Sequence, residues 1–332
     1  MSTVLDSLNL ALHRAFEVDN NVLLLGEDVL DPYGGAFKVT RGLSSKYPDR
    51  VFTTPVSEAG IVGVATGMAL RGLRPVVEIM FGDFTTLIAD QLVNHATKFR
   101  WMYNDQVRVP LVIRTPMGGR RGYGPTHSQT LEKIFLGVPG LRVIAPCAIG
   151  NPGDLLFNAI VYGEDPVLFI ENKLLYLSPL QDAITLHDFI LSTTAGIPTY
   201  TLVLREAPQS ILTMAAYGYM AELARQAVTH LAYEHEIFVE LIIPTQLAPY
   251  QLEPVVNSVN KTGRLLTVEE GTLTLGWGAE VIAQTAEKTG GRLRITRRIA
   301  ARDLPVPSSG PLETKVLPGV DEIIRIACEM VV

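Results

Sequence analysis

A chain of 332 residues, 47% of them hydrophobic and with a formal net charge of -6, is long enough for two substantial cores. Its mild acidity gives no reason to expect nucleic acid or an anionic membrane as a partner. Two cysteines, Cys147 and Cys328, are too few for a disulfide framework, so a reducing, cytoplasmic setting is expected.

No segment has the ~20 consecutive apolar residues of a membrane span. The opening Met1-Ser2-Thr3-Val4-Leu5-Asp6 lacks the basic and apolar regions of a signal peptide, so none is expected. Leu5, Leu8, Leu12 and Phe16 fall on one helical face instead.

Asn21 to Gly26 then reads as a buried strand ending at a glycine turn, with Glu27 and Asp28 just past its carboxyl end. Open α/β sheets place functional groups there. Tyr33-Gly34-Gly35-Ala36-Phe37 is a flexible loop, and Val51-Phe52 a short strand.

Next comes Thr54-Pro55-Val56-Ser57-Glu58, leading into a helix. Ser57 is a favourable N-cap and Glu58 lies in the first turn. Gly60, Gly63 and Gly67 recur on one helical face, each disfavoured by roughly 1 kcal/mol against alanine, so close approach of another backbone is expected there. Glu58 either complements the helix dipole or, held among Val56, Ile61, Val62 and Val64, has a raised pKa and carries a proton.

Strands are expected at Pro75 to Phe81, Val109 to Arg114, Leu141 to Ala145 and Val167 to Ile170, with a helix from Asp83 to Lys98. Strands alternating with helices imply a parallel sheet covered on both faces. Residues 181–208, bounded by Pro179 and Pro208, read as a connector. Beyond it, strands at Ile211 to Ala216, Ile237 to Ile243, Arg264 to Val268 and Leu293 to Arg297 alternate with helices at Met220 to Tyr233, Leu252 to Asn260, Gly276 to Thr285 and Val320 to Met330. Glu269-Glu270-Gly271 is expected past a strand end. The expected fold is therefore α/β, in two domains of mostly parallel sheet flanked by helices, at 1–180 and 209–332.

The usual chemical fingerprints are absent. Gly122 and Gly124 begin a Rossmann pattern, but His127 stands where its third glycine belongs, and Gly118 to Gly124 lacks the Gly-Lys-Ser/Thr of a Walker loop. The six histidines show no HExxH spacing, so no metal site is expected. His127, in a glycine-rich loop after a strand with Ser128 and Gln129 beside it, is either a functional residue or a turn histidine satisfied by its neighbours.

Taken together, these stretches resemble the beta subunit of the thiamine-diphosphate-dependent component of 2-oxo acid dehydrogenase complexes, of pyruvate, branched-chain and acetoin type. The resemblance runs through Leu25-Gly26-Glu27-Asp28, Tyr33 to Thr40, Thr54 to Glu58, Pro75 to Phe84, Thr126-His127-Ser128-Gln129, Pro139 to Val143, Thr267 to Gly271 and Asp303 to Pro307. It implies a pyrimidine-binding domain followed by a transketolase C-terminal-type domain.

It also implies that Glu58 bonds the aminopyrimidine nitrogen of the cofactor. A proton shared there favours the imino tautomer that activates the thiazolium carbon. Phe84 matches the aromatic packed on that ring, and His127 the histidine that positions the substrate and the acyl acceptor. Tyr33 and Glu27 match positions near the pocket and its acidic interior.

The family's Gly-Asp-Gly and asparagine signature for Mg2+ and the diphosphate is missing from this chain. That half of the site is expected on an alpha subunit, in an alpha2-beta2 heterotetramer active only when assembled. A 2-oxo acid would be the substrate and a lipoyl acyltransferase the partner. The alternative is a carboligase of a specialised pathway without a lipoyl complex; the third reading is a non-catalytic scaffold. Two departures favour specialisation. Gly163 stands where relatives place an aspartate for potassium, and Leu241 to Leu247 lacks an aspartate-leucine-arginine run.

Overall fold

A computed structural model describes residues 2–331. By internal packing the chain divides into two units. One comprises Met1–Met117, Ile134–Ile144 and Asn151–Leu180; the other comprises Gly118–Lys133, Ala145–Gly150 and Gln181–Val332.

The first unit begins with α1 (Val4–Val18), started by a capping box in which Thr3 Oγ1 accepts from the Asp6 amide and Asp6 Oδ2 from the Thr3 amide. Leu8, Leu12 and Phe16 are buried, and Leu5 is half-buried at the edge of that face. The strands of this unit are β1 (Val22–Gly26), β2 (Val51–Thr53), β3 (Arg74–Glu78), β4 (Val112–Met117), β5 (Arg142–Ile144) and β6 (Val167–Asn172). They lie in the order β5-β6-β4-β3-β1-β2, all parallel. β1 and β4 are buried along their whole length, as a sheet covered on both faces requires. The helices of this unit are α2 (Leu43–Lys46), α3 (Glu58–Leu70), α4 (Phe99–Met102) and α5 (Pro152–Tyr162).

The single helix expected from Asp83 to Lys98 does not form. Gly82–Ile88 is a 3-10 segment and Gln91–Ala96 a π-helical turn. The Thr85 and Thr86 hydroxyls donate back to Gly82 O and Asp83 O at 2.6 and 3.0 Å, three residues behind, which favours the tighter winding.

In the second unit β7 (Phe189–Thr193), β8 (Thr199–Leu204), β9 (Leu212–Ala216), β10 (Val239–Pro244), the short β11 (Gln246–Ala248), β12 (Arg264–Thr272) and β13 (Ile295–Ala301) are joined by α6 (Gly218–His235), α7 (Glu253–Thr262), α8 (Trp277–Thr289), α9 (Gly310–Val316) and α10 (Val320–Val331). The sheet order is β13-β12-β9-β10-β8-β7. Four strands run parallel, and β8 and β7 add an antiparallel edge.

Residues 181–208 are thus not a bare connector. They carry the hairpin of β7 and β8, which packs Phe189, Tyr200 and Leu202 into the core. Side-chain alternation along β9 separates the two faces of the sheet. Met214 joins the apolar cluster with α6 and α10, while the Thr213 hydroxyl pairs with Ser258 and Thr262 on α7.

Candidate active site

Glu58 is the first residue of α3 and only 7% exposed. Ser57 holds the N-cap position, yet its hydroxyl makes no capping bond; with φ -162° and ψ 73° it departs from the usual cap geometry. Nor is Glu58 a lone carboxylate among valines, since Val56 and Val64 are exposed.

Its charged neighbour is Glu27, also 7% exposed, which follows β1 and accepts from the Ser57 amide. Burial first, then the Glu58 and Asp28 carboxylates, hold the Glu27 carboxyl above its ordinary range. Its Oε1 is buried without a hydrogen-bond partner. Two buried carboxyls at the carboxyl edge of a parallel sheet, one of them with an oxygen that has no partner, offer a polar ligand a place to hydrogen-bond.

Phe84 is half-buried in the 3-10 segment. It meets Phe81 edge-on at 5.8 Å, Phe81 meets Phe37 at 6.0 Å, and Phe37 stacks on Tyr176 at 5.3 Å. Tyr33 is half exposed, on the loop between β1 and α2, with Lys38 Nζ 5.8 Å from its ring centre. That loop is fastened where the Ala36 amide donates to Glu78 Oε1 at 3.3 Å. A Cβ on Gly35, whose φ is +79°, would lie 2.4 Å from the same oxygen, so only glycine permits the approach.

Glu78 belongs to a buried charge network that the sequence reading left out. Arg114 on β4 donates to Glu78 on β3 and twice to Glu171 on β6, each at 2.8 Å, and the Tyr176 hydroxyl donates to Glu171 at 2.7 Å. Burial opposes the Arg114 charge, but Glu171 and Glu78 outweigh it and hold the guanidinium protonated. Charged residues interrupting apolar strands, as in Val76-Val77-Glu78 and Val112-Ile113-Arg114, were the available signal. At the end of α5, Arg74 Nη1 donates to Ile160 O and Gly163 O at 2.9 and 2.8 Å. A guanidinium thus serves the carbonyls beside the position read as a departure at Gly163.

His127 lies in the second unit, half-buried, with Thr126 Oγ1 3.0 Å from its Nδ1. Glu269 and Glu270 are inside β12 rather than beyond it, because the strand continues to Thr272. Glu269 accepts from the Trp277 and Gly278 amides at the start of α8. Burial, then the nearby Glu132, push its carboxyl up to about 7. Among the described residues no group of acidic, histidine and cysteine side chains is arranged to hold a metal ion.

Residues 2–178 match the transketolase pyrimidine-binding domain family, and residues 200–323 the transketolase C-terminal domain family. The chain is 37% identical over 327 residues to the mitochondrial pyruvate dehydrogenase E1 component subunit beta-2 of Oryza sativa subsp. japonica, covering 98% of this chain and 85% of the relative. It is 37% identical over 320 residues to the 2-oxoisovalerate dehydrogenase subunit beta of Pseudomonas aeruginosa, with 92% and 88% covered. It is also 33% identical over 346 residues to the acetoin:2,6-dichlorophenolindophenol oxidoreductase subunit beta of Bacillus subtilis, with 98% and 96% covered. Among solved structures, a split-gene transketolase described as an inactive beta4 tetramer shares the fold, with TM-score 0.74, 18% identity, and 98% and 96% of the two chains covered.

Proposed function

Because this chain belongs to the family of E1 beta subunits of 2-oxo acid dehydrogenases, we propose that it is the beta half of a thiamine-diphosphate enzyme that decarboxylates a 2-oxo acid and passes the acyl group to lipoamide. The observation that carries the site assignment is the buried Glu27 and Glu58 pair with its unpartnered oxygen. An aminopyrimidine, with a basic nitrogen and N–H donors on one edge, fits that donor and acceptor set.

Bound thiamine diphosphate supplies the electron sink that a 2-oxo acid needs to lose carbon dioxide. Glu58 holds and returns a proton at the aminopyrimidine nitrogen. Glu27 lies beside it, its own carboxyl raised by burial first and then by the Glu58 charge. Phe84 offers its ring as a packing face, and Tyr33 borders the pocket. His127, on the loop of the second unit, orients the substrate and the acyl acceptor.

Mg2+ and the diphosphate are assigned to an alpha subunit, in an alpha2-beta2 assembly. The open face of α3 supports this. Gly60, Gly63 and Gly67 are exposed; a Cβ on Gly67 would meet nothing within 4 Å, and one on Gly63 only Gln91 Cγ at 3.8 Å. Packing within this chain does not require glycine at either position. A partner backbone would.

The test is co-expression with an alpha subunit, thiamine diphosphate and Mg2+, and a panel of 2-oxo acids scored by reduction of an artificial electron acceptor. Turnover that Glu58→Ala abolishes is the expected result. Turnover surviving Glu58→Ala would sink the assignment, and carboligation products without acylation of a lipoyl domain would move the acceptor away from lipoamide.

A further inference from the structure

The stretch Gly118–Gly124 resembles a phosphate cradle in composition, and its backbone shows why. Gly118, Arg120, Gly122 and Gly124 have φ of +99°, +68°, +69° and +78°. Left-handed residues alternating with ordinary ones turn successive amides toward one side, forming a concavity that attracts anions.

That concavity is already filled from within the second unit. Glu270 Oε1 accepts from the Gly119 amide at 2.8 Å and from Thr130 Oγ1 at 3.3 Å. Glu313, on α9, accepts from the Arg120 amide at 2.6 Å through Oε1 and from the Gly122 amide at 3.3 Å through Oε2. Both carboxylates are 4% exposed.

The approach is close. A Cβ on Gly119 would sit 2.6 Å from Leu317 Cδ1 and 3.1 Å from Glu313 Oε1. Arg120 adds a bond from Nη2 to Pro318 O, and its Nε lies 3.6 Å from Glu270 Oε2. At the far end of the loop the Tyr217 hydroxyl donates to Glu132, and Lys133 Nζ donates to Thr272 O and Thr274 O at 3.2 and 2.6 Å. His127 lies between these two clamps.

We propose that Glu313 and Glu270 are positioning residues for His127. By accepting the backbone amides of Gly119, Arg120 and Gly122, they fix the loop conformation on which the imidazole is presented. Using carboxylates in place of an external anion makes the cradle a permanent part of the fold and closes it to a diphosphate. This rests on the reading that His127 acts on the substrate. Neither glutamate touches the reacting atoms, so the effect runs through the histidine.

The experiment uses the assembled alpha/beta holoenzyme carrying Glu313→Gln, His127→Ala or both. Glutamine keeps the volume but sets an amide donor against a backbone donor. Glu313→Gln is expected to lower kcat roughly 10–100-fold, the scale of a displaced catalytic group. The apparent Kd for thiamine diphosphate and the subunit stoichiometry should not move, while the melting temperature falls with the lost amide bond. Glu313→Asp, which keeps the charge, should recover part of the rate.

In the His127→Ala background Glu313→Gln should add less than about 2-fold, because its effect is already spent. A full multiplicative loss in the double variant would overturn the proposal, as would an unchanged kcat in Glu313→Gln. If His127→Ala itself leaves kcat intact, the reading beneath the proposal fails and the proposal with it. Should Glu313→Gln not assemble, Glu270→Gln gives the same comparison. If no variant at either position yields holoenzyme, the two glutamates serve folding alone and the proposal falls.

Discussion

Arg114 and Glu171 meet fork to fork: Nε donates to Oε1 and Nη2 to Oε2, each at 2.8 Å, with both side chains buried. The remaining Arg114 nitrogen reaches Glu78 Oε2, whose other oxygen accepts from the Ala36 amide. Three neighbouring strands and the loop bearing Tyr33 are therefore tied through one guanidinium.

Replacing Arg114 by methionine leaves two carboxylates buried without a counter-charge, a change that costs about 3–5 kcal/mol. Arg114→Lys, which keeps the charge but loses the fork, should fall between the variant and the parent. Chemical denaturation of the assembled protein measures both. A loss below about 1 kcal/mol for Arg114→Met would mean that the carboxylates find other partners or protonate without penalty.

The exposed glycine face of α3 yields a prediction of unusual sign. In Gly67→Leu the added Cβ meets nothing within 4 Å in this chain, and replacing a mid-helix glycine should raise the stability of the separate subunit by up to about 1 kcal/mol. The same variant should fail to assemble with an alpha subunit. Melting temperature and size-exclusion chromatography report the two effects separately. Normal assembly of Gly67→Leu would assign the glycines some other purpose.

The raised carboxyl of Glu269 predicts a stability trend with pH. Its folded value of about 7 exceeds the ordinary 4.5, so the folded state binds the proton more tightly than the unfolded chain. The stabilisation is complete below 4.5, declines as pH rises and is gone above about 7. Between about pH 5.5 and pH 8 this amounts to roughly 2 kcal/mol. Glu132 and Glu78, whose carboxyls burial also raises, act in the same direction. Glu269→Gln should flatten the trend, and an identical pH dependence of the melting temperature in that variant would refute the assignment.

Much of this architecture was legible in the sequence because parallel strands advertise themselves as apolar runs bounded by turns. Val22 to Gly26, Val109 to Ile113 and Val167 to Ile170 are such runs. Glu58 and Glu27 could be named from their places after strand or turn signals. That they sit together could not, because their proximity depends on pairing between β1 and β2. The hairpin of β7 and β8 was hidden by flanking prolines. The threonine bonds that tighten Gly82–Ile88 have no signature in helical periodicity. Glu270 and Glu313 escaped for a plainer reason: the groups they serve are backbone amides, which no side-chain pattern records.

The clamp on the His127 loop also sets an order on biosynthesis. Gly122 and the carboxylate that holds it are 191 residues apart in sequence. A ribosome that has released every strand of the first unit has made neither Glu270 nor Glu313. A chain halted between β13 and α9 would carry all the strands of both sheets and still leave the amides of Arg120 and Gly122 without their acceptor. The His127 loop is thus among the last segments to be set, and premature termination there would yield a nearly complete protein with that loop untied.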